Sequence, residues 1–130
     1  MIVLDASAVI EWLLQTPTGA KVEQRIFTTV PNLHAPHLLD IEVAQALRRY
    51  VAARHMTAIR AEDAIQDLLD LPLTRYPHDL LLWRIWDLRH ALTAYDAAYV
   101  ALAEALGAPL ITCDRKMASA HGHSAVIEVM

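Results

Sequence analysis

Short apolar runs separated by helical patterns constrain the fold of this chain more than any other feature. Ile2-Val3-Leu4 ends at Asp5, Leu33-His34-Ala35 is bracketed by Pro31 and Pro36, and Leu73-Thr74-Arg75-Tyr76 stops before Pro77. Leu110-Ile111-Thr112 ends near Asp114, and a last run covers residues 125–129. Between these runs the hydrophobic spacing predicts helices over residues 7–14, 20–29, 37–54, 57–71 and 79–90. Another is opened by Thr93 and closed by Gly107 and Pro109, and a short one follows Asp114. Thr16-Pro17-Thr18-Gly19 reads as punctuation. Short strands alternating with helices indicate an α/β chain with a parallel sheet and right-handed crossovers. Runs that are apolar throughout, rather than alternating, predict a sheet covered on both faces. With no internal repeat, low-complexity stretch or long linker, the 130 residues read as one domain.

Composition narrows the classes. The chain is 55% hydrophobic, which excludes a disordered linker, and only 6% aromatic, so its core must be aliphatic. The single Cys113 excludes a disulfide framework and a Cys-cluster zinc site, and suits a reducing, cytoplasmic setting. No apolar run approaches the ~20 residues that span a bilayer. The start, with Asp5 and Glu11 and no basic residues ahead of them, does not read as a secretory signal. Lys and Arg number 11 against 15 Asp and Glu, for a net charge of −4, which is not the basic excess usual in a phosphate-tracking protein. Were four of the acids held at a metal, the remainder would balance the bases, so the net charge does not exclude an RNA partner.

Ligands of open parallel sheets bind beyond the carboxyl ends of the strands, where Asp5 and Asp114 fall. The plainer use of each is to cap the helix that follows. Asp96, three residues after Thr93, suits an imperfect capping box. Its helix, however, is apolar nearly all round and therefore buried, which brings the carboxylate near whatever the crevice holds. Glu42 shares a helix face with Leu38, Leu39 and Ala46, whereas Asp40 lies on another face. A carboxylate in an apolar stripe needs a partner; Arg49 is one candidate and a metal is the other.

Four acids from four segments, gathered at one end of a sheet, would repel one another by about 3 kcal/mol per pair at ~5 Å in an effective dielectric of about 20. A divalent cation removes that cost, and a set of hard oxygen ligands selects Mg²⁺ or Mn²⁺ over zinc. Such a site activates water and offsets phosphoryl charge, as a phosphodiesterase requires.

The segments MIVLDASAVIEWLL, the Glu42 helix, TAYDAAYVALAEALGAPLIT and TCDRKMA together resemble the PIN-domain ribonucleases, and within them the VapC-type toxins of toxin–antitoxin pairs. The resemblance runs from Met1 to about Val129. It implies a three-layer domain with a short central parallel sheet flanked by helices. It also implies that Asp5, Glu42, Asp96 and Asp114 are both the catalytic residues and the ligands of Mg²⁺, for which Mn²⁺ substitutes. Ser7 and Thr112 match supporting hydroxyl positions. No acid follows Asp114 closely, which puts a second fully coordinated metal in doubt. The implied activity is endoribonucleolytic hydrolysis leaving 5′-phosphate and 3′-hydroxyl ends. The implied partners are an RNA substrate, a cognate antitoxin that blocks the cleft, and a second copy of the chain.

Arg115 and Lys116, directly after Asp114, are candidates for gripping substrate phosphates. Arg48, Arg49, Arg54 and Arg60 read better as a charged helix face than as an RNA contact. His34, His37, His121 and His123 lack the helical spacing of zinc ligands and read as loop residues. Trp83 and Trp86 are expected in the core or an interface, and Cys113 as a small buried hydrophobe. Trp12, Leu13 and Leu14 suit a groove for an amphipathic antitoxin helix. Two other classes stay open. In a phosphotransfer domain Asp5 would be the nucleophile, but a second acid usually stands where this chain has Ser7. A non-catalytic RNA- or protein-binding module is the alternative on the same fold.

Overall fold

The computed structural model describes residues 1–28 and 32–130. In chain order the elements are β1 (Ile2–Leu4), α1 (Ala6–Leu13), α2 (Pro17–Phe27), β2 (Leu33–Pro36), α3 (Leu38–Ala52) and α4 (Ala58–Asp70). They continue with β3 (Leu73–Tyr76), a 3₁₀ turn (Asp79–Leu81), α5 (Leu82–Asp87), α6 (Ala94–Leu106), β4 (Leu110–Thr112), α7 (Arg115–Ser119) and β5 (Ile127–Val129). The five strands form one sheet in the order β3-β2-β1-β4-β5, and every pairing is parallel.

That order places the point where the winding of the sheet reverses. The chain moves outward from β1 through β2 to β3, then returns to the far side of β1 as β4. The direction of winding reverses between β1 and β4, where Leu4 registers with Ile111. With right-handed crossovers, the helices of the outward leg cover one face and those of the return leg the other. α1 packs on α2, α3 and α4 in one layer, and α5 packs on α6 in the opposite one. β1 and β4 are buried throughout, as apolar runs in a covered sheet must be; the edge strands β3 and β5 are only half-buried. The core is aliphatic: Val3, Leu4, Val9, Val22, Leu39, Val43, Leu110 and Ile111 are buried, and so is the apolar middle of α6, from Ala97 to Ala103.

Several sequence expectations are corrected. The second helix begins at Pro17, not at residue 20, because Thr16 accepts from Gly19 N as its cap and proline suits the first helical position. Gly19 is therefore inside the helix, where a Cβ would stand 2.0 Å from the Glu11 carbonyl oxygen; only glycine lets α2 lie this close to α1. The predicted end of that helix at Thr29, and the flanking Pro31, lie outside the described residues. The helix expected over 79–90 breaks into a 3₁₀ turn and the short α5. Trp83 and Trp86, expected in the core or an interface, are not in the core: they are 83% and 59% exposed in this chain. His34 is not in a loop but buried in β2, with Nδ1 2.6 Å from the Tyr76 hydroxyl. Cys113 is only half-buried. Among the described residues no helix is long and apolar enough to cross a membrane.

Candidate metal centre

Asp5 leaves the end of β1 beside β4, its amide donating to the Ile111 carbonyl at 3.2 Å. Only 4% exposed, it uses both carboxylate oxygens. Oδ1 accepts from Ala8 N at 3.0 Å, capping α1, and from Ser7 Oγ at 2.7 Å; Oδ2 accepts from Thr112 Oγ1 at 2.6 Å. The two hydroxyls are themselves oriented by the backbone after β4. Cys113 N donates to Ser7 Oγ and Asp114 N to Thr112 Oγ1, each at 2.9 Å. Burial raises the Asp5 pKa, these hydrogen bonds oppose the rise, and the charge of Glu42 adds to it.

Asp114 begins α7, its Oδ1 accepting from Lys116 N at 2.9 Å. The capping use anticipated for Asp5 and Asp114 is thus real, but it occupies only part of each carboxylate. Among the described residues Oδ2 of Asp114 takes no hydrogen bond. Asp96 stands in the first turn of α6, where its amide donates to Thr93 Oγ1 at 3.2 Å. The capping box is made only in that direction. Burial, then repulsion from Asp114, Asp5 and Glu42 in that order, pushes the Asp96 pKa up to about 6. The three other acids therefore lie close enough to oppose its ionisation.

Glu42, half-buried on α3, does not meet Arg49. Its Oε1 accepts from the hydroxyl of Tyr99 at 2.5 Å, across from the opposite helix layer. Asp40, on another face of the helix, is paired with Arg75 Nε at 2.7 Å. Sequence reading missed Tyr99, although its place three residues after Asp96 on α6 was a usable signal.

The donors fit a hard divalent cation: all are carboxylate oxygens, with hydroxyls around them and no imidazole or thiolate among the four. The three ion pairs among the described residues join Arg25 to Glu128, Arg75 to Asp40 and Arg84 to Glu104, so none neutralises any of the four acids. Nor are the carboxylates drawn into a ready ligand cluster: among the described residues no three His, Cys, Asp or Glu side chains are gathered at metal-binding geometry. A cation would have to pull them inward. Arg115 and Lys116 are exposed at the start of α7, directly after Asp114.

A PIN domain family model matches residues 2–122. The chain belongs to the PIN-domain family. Over 130 residues it is 44% identical to ribonuclease VapC12 of Mycobacterium tuberculosis strain H37Rv, covering 100% of this chain and 99% of that protein. The fold of this PIN domain is similar to that of PAE2754 from Pyrobaculum aerophilum, with a TM-score of 0.71 at 25% identity, over 98% of this chain and 83% of that one. It is equally similar, at TM-score 0.71 but 12% identity, to a chain of VapBC2 from Rickettsia felis bound to a DNA fragment from their promoter; 99% of this chain and 98% of that chain are covered.

Proposed function

We propose that this PIN domain is an Mg²⁺-dependent endoribonuclease, a VapC-type toxin that hydrolyses RNA phosphodiester bonds and is restrained by a cognate antitoxin. Asp5, Glu42, Asp96 and Asp114 would hold the cation, with Mn²⁺ able to take its place. The observation that carries this reading is that Asp5, Glu42 and Asp114, none neutralised by an ion pair among the described residues, add to burial in raising Asp96 to about 6 beside the winding reversal between β1 and β4. When bound, a hard divalent cation makes water a better nucleophile at neutral pH and offsets the charge that builds on the phosphoryl group.

The chain's own residues supply the rest. Ser7 and Thr112 hold the Asp5 carboxylate in one orientation from the β4 end of the sheet. Arg115 and Lys116 place positive charge at the rim, where a phosphate of the RNA backbone is attracted without disturbing the acids. The four acids keep the centre negative and repel RNA until a cation is present, which couples substrate approach to metal loading.

The antitoxin reading is supported by the VapC names of the relatives and by a cleft of about 270 Å³ lined by Trp12, Leu13, Asp67, Asp70 and Leu71. A second hollow on the other side of Trp12 is lined by Gly19 and Glu23. An apolar floor with acidic edges fits an amphipathic helix bearing basic residues. A second copy of the chain would be accommodated on the apolar hollow formed by Leu82, Trp83, Ile85, Trp86 and Ala94. We take residues 1–130 to act as one domain, in the cytoplasm. Purified protein incubated with looped RNA should cleave it in Mg²⁺ or Mn²⁺ and stop on addition of EDTA. Undiminished cleavage in EDTA would refute the metal mechanism.

A further inference from the structure

We propose that Tyr99 is a positioning residue of this centre, its phenol fixing the Glu42 carboxylate so that α3 and α6 present their acids as one unit. The inference rests on the reading of the four acids as metal ligands. Tyr99 is the largest of the fully buried side chains, at 1% exposure. A phenol taken out of water needs an acceptor, and this one takes Glu42 Oε1 at 2.5 Å, a distance in the charge-assisted range.

Glu42 has little else to fix it. Its carboxylate sits at the end of a flexible stem, among the described residues no cation pairs with it, and Tyr99 supplies its side-chain hydrogen bond. Without the phenol, repulsion from Asp5 and Asp96 would swing the carboxylate away from the other acids. With it, Oε1 is anchored, and among the described residues Oε2 takes no hydrogen bond. Tyr99 also lies on the same face of α6 as Asp96, three residues on. One helix thus carries an acid of its own and steers a second, from the opposite layer, across the carboxyl edge of the sheet. The contrast with Asp5 is informative. Asp5 is fixed by three donors, Ser7 and Ala8 nearby and Thr112 from β4, whereas among the described residues Glu42 depends on Tyr99 alone.

Removing an outer partner of a metal ligand typically costs about 10- to 100-fold in metal affinity or activity. The test is Mn²⁺ binding to the full chain, read by electron paramagnetic resonance, for wild type, Tyr99→Phe, Glu42→Gln and the double variant. Tyr99→Phe keeps the buried ring and should bind Mn²⁺ about 10-fold more weakly. It should cut RNA with lower kcat at unchanged KM, and add nothing further in the Glu42→Gln background. Wild-type Mn²⁺ affinity in Tyr99→Phe, or a loss that adds in full to that of Glu42→Gln, overturns the role of Tyr99 and leaves the four-acid centre standing. A wild-type chain that binds no Mn²⁺ overturns both. A metal-free readout comes from proton nuclear magnetic resonance, where the Tyr99 hydroxyl should exchange slowly and resonate at low field. That signal should vanish in Tyr99→Phe and move in Glu42→Gln; a signal unmoved in Glu42→Gln refutes the hydrogen bond.

Discussion

Thr112 donates its hydroxyl to Asp5 Oδ2 at 2.6 Å while accepting the amide of Asp114 at 2.9 Å. A single buried oxygen therefore couples the acid that ends β1 to the backbone of the acid that follows β4. Both contacts are made in the folded chain, so Asp5 and the backbone of Asp114 are oriented together whether or not a ligand is present.

Replacing Thr112 by Val should expose this coupling. Val matches its shape but leaves Oδ2 of the buried Asp5 without its donor, a loss worth roughly 1–3 kcal/mol of stability. Urea unfolding should show that drop together with reduced cleavage, and Thr112→Ser should restore most of both.

Asparagine substitutions should split the acids by sign, although Asn caps helices about as well as Asp. Asp96→Asn removes one crowded charge and should raise metal-free stability by about 1 kcal/mol while abolishing cleavage. Asp5→Asn should instead lower stability, since its amide hydrogens would face donors that now point at both oxygens. Asp40→Asn breaks the part-exposed pair with Arg75, at a cost of about 0–1 kcal/mol, and should leave cleavage intact. Thermal melts in EDTA beside cleavage assays in Mg²⁺ test all three; normal cleavage by Asp96→Asn would discard the assignment.

The pH dependence follows from Asp96, whose folded pKa of about 6 lies above its ordinary value of 3.8. A raised acid binds its proton more tightly in the folded state, so its stabilising contribution is full below pH 3.8 and is lost as pH rises through about 6. Metal-free protein should lose about 1–2 kcal/mol of stability from this group across that window, after allowance for solvent screening. Asp5, raised in the same direction, adds to the slope. Denaturant titrations in EDTA at a series of pH values should show the decline, flattened in Asp96→Asn. Mn²⁺ binding should weaken as pH falls below about 6, where a proton competes for the Asp96 carboxylate.

Gly19→Ala tests the packing that brings α2 onto α1. Its Cβ would meet the Glu11 carbonyl, which is backbone and cannot rotate aside, so overpacking should cost about 1–3 kcal/mol. A melting temperature equal to wild type would show that the two helices part easily.

What the sequence determined by itself was local: β1 ending at Asp5, the aliphatic helix from Thr93 to Gly107, and the capping positions of Asp5 and Asp114 are all set by neighbours a few residues away. The Met1–Val129 resemblance gave the fold class and implied the acidic quartet; Asp5 and Asp114 follow strands that the apolar runs mark, whereas Glu42 and Asp96 lie on α3 and α6. The partners of the acids were decided only by the tertiary structure. Arg49 was a reasonable mate for Glu42 along one helix, yet the hydrogen bond goes to Tyr99, 57 positions away, and Arg75 crosses 35 positions to reach Asp40. The exposure of Trp83 and Trp86 was hidden too, since it depends on where α5 breaks rather than on its composition. Hydrophobic periodicity records which face of an element is buried, but not which element lies against it. That choice follows from the order in which the strands pair, and the reversal between β1 and β4 sets Asp5 beside the strand that leads to Asp114.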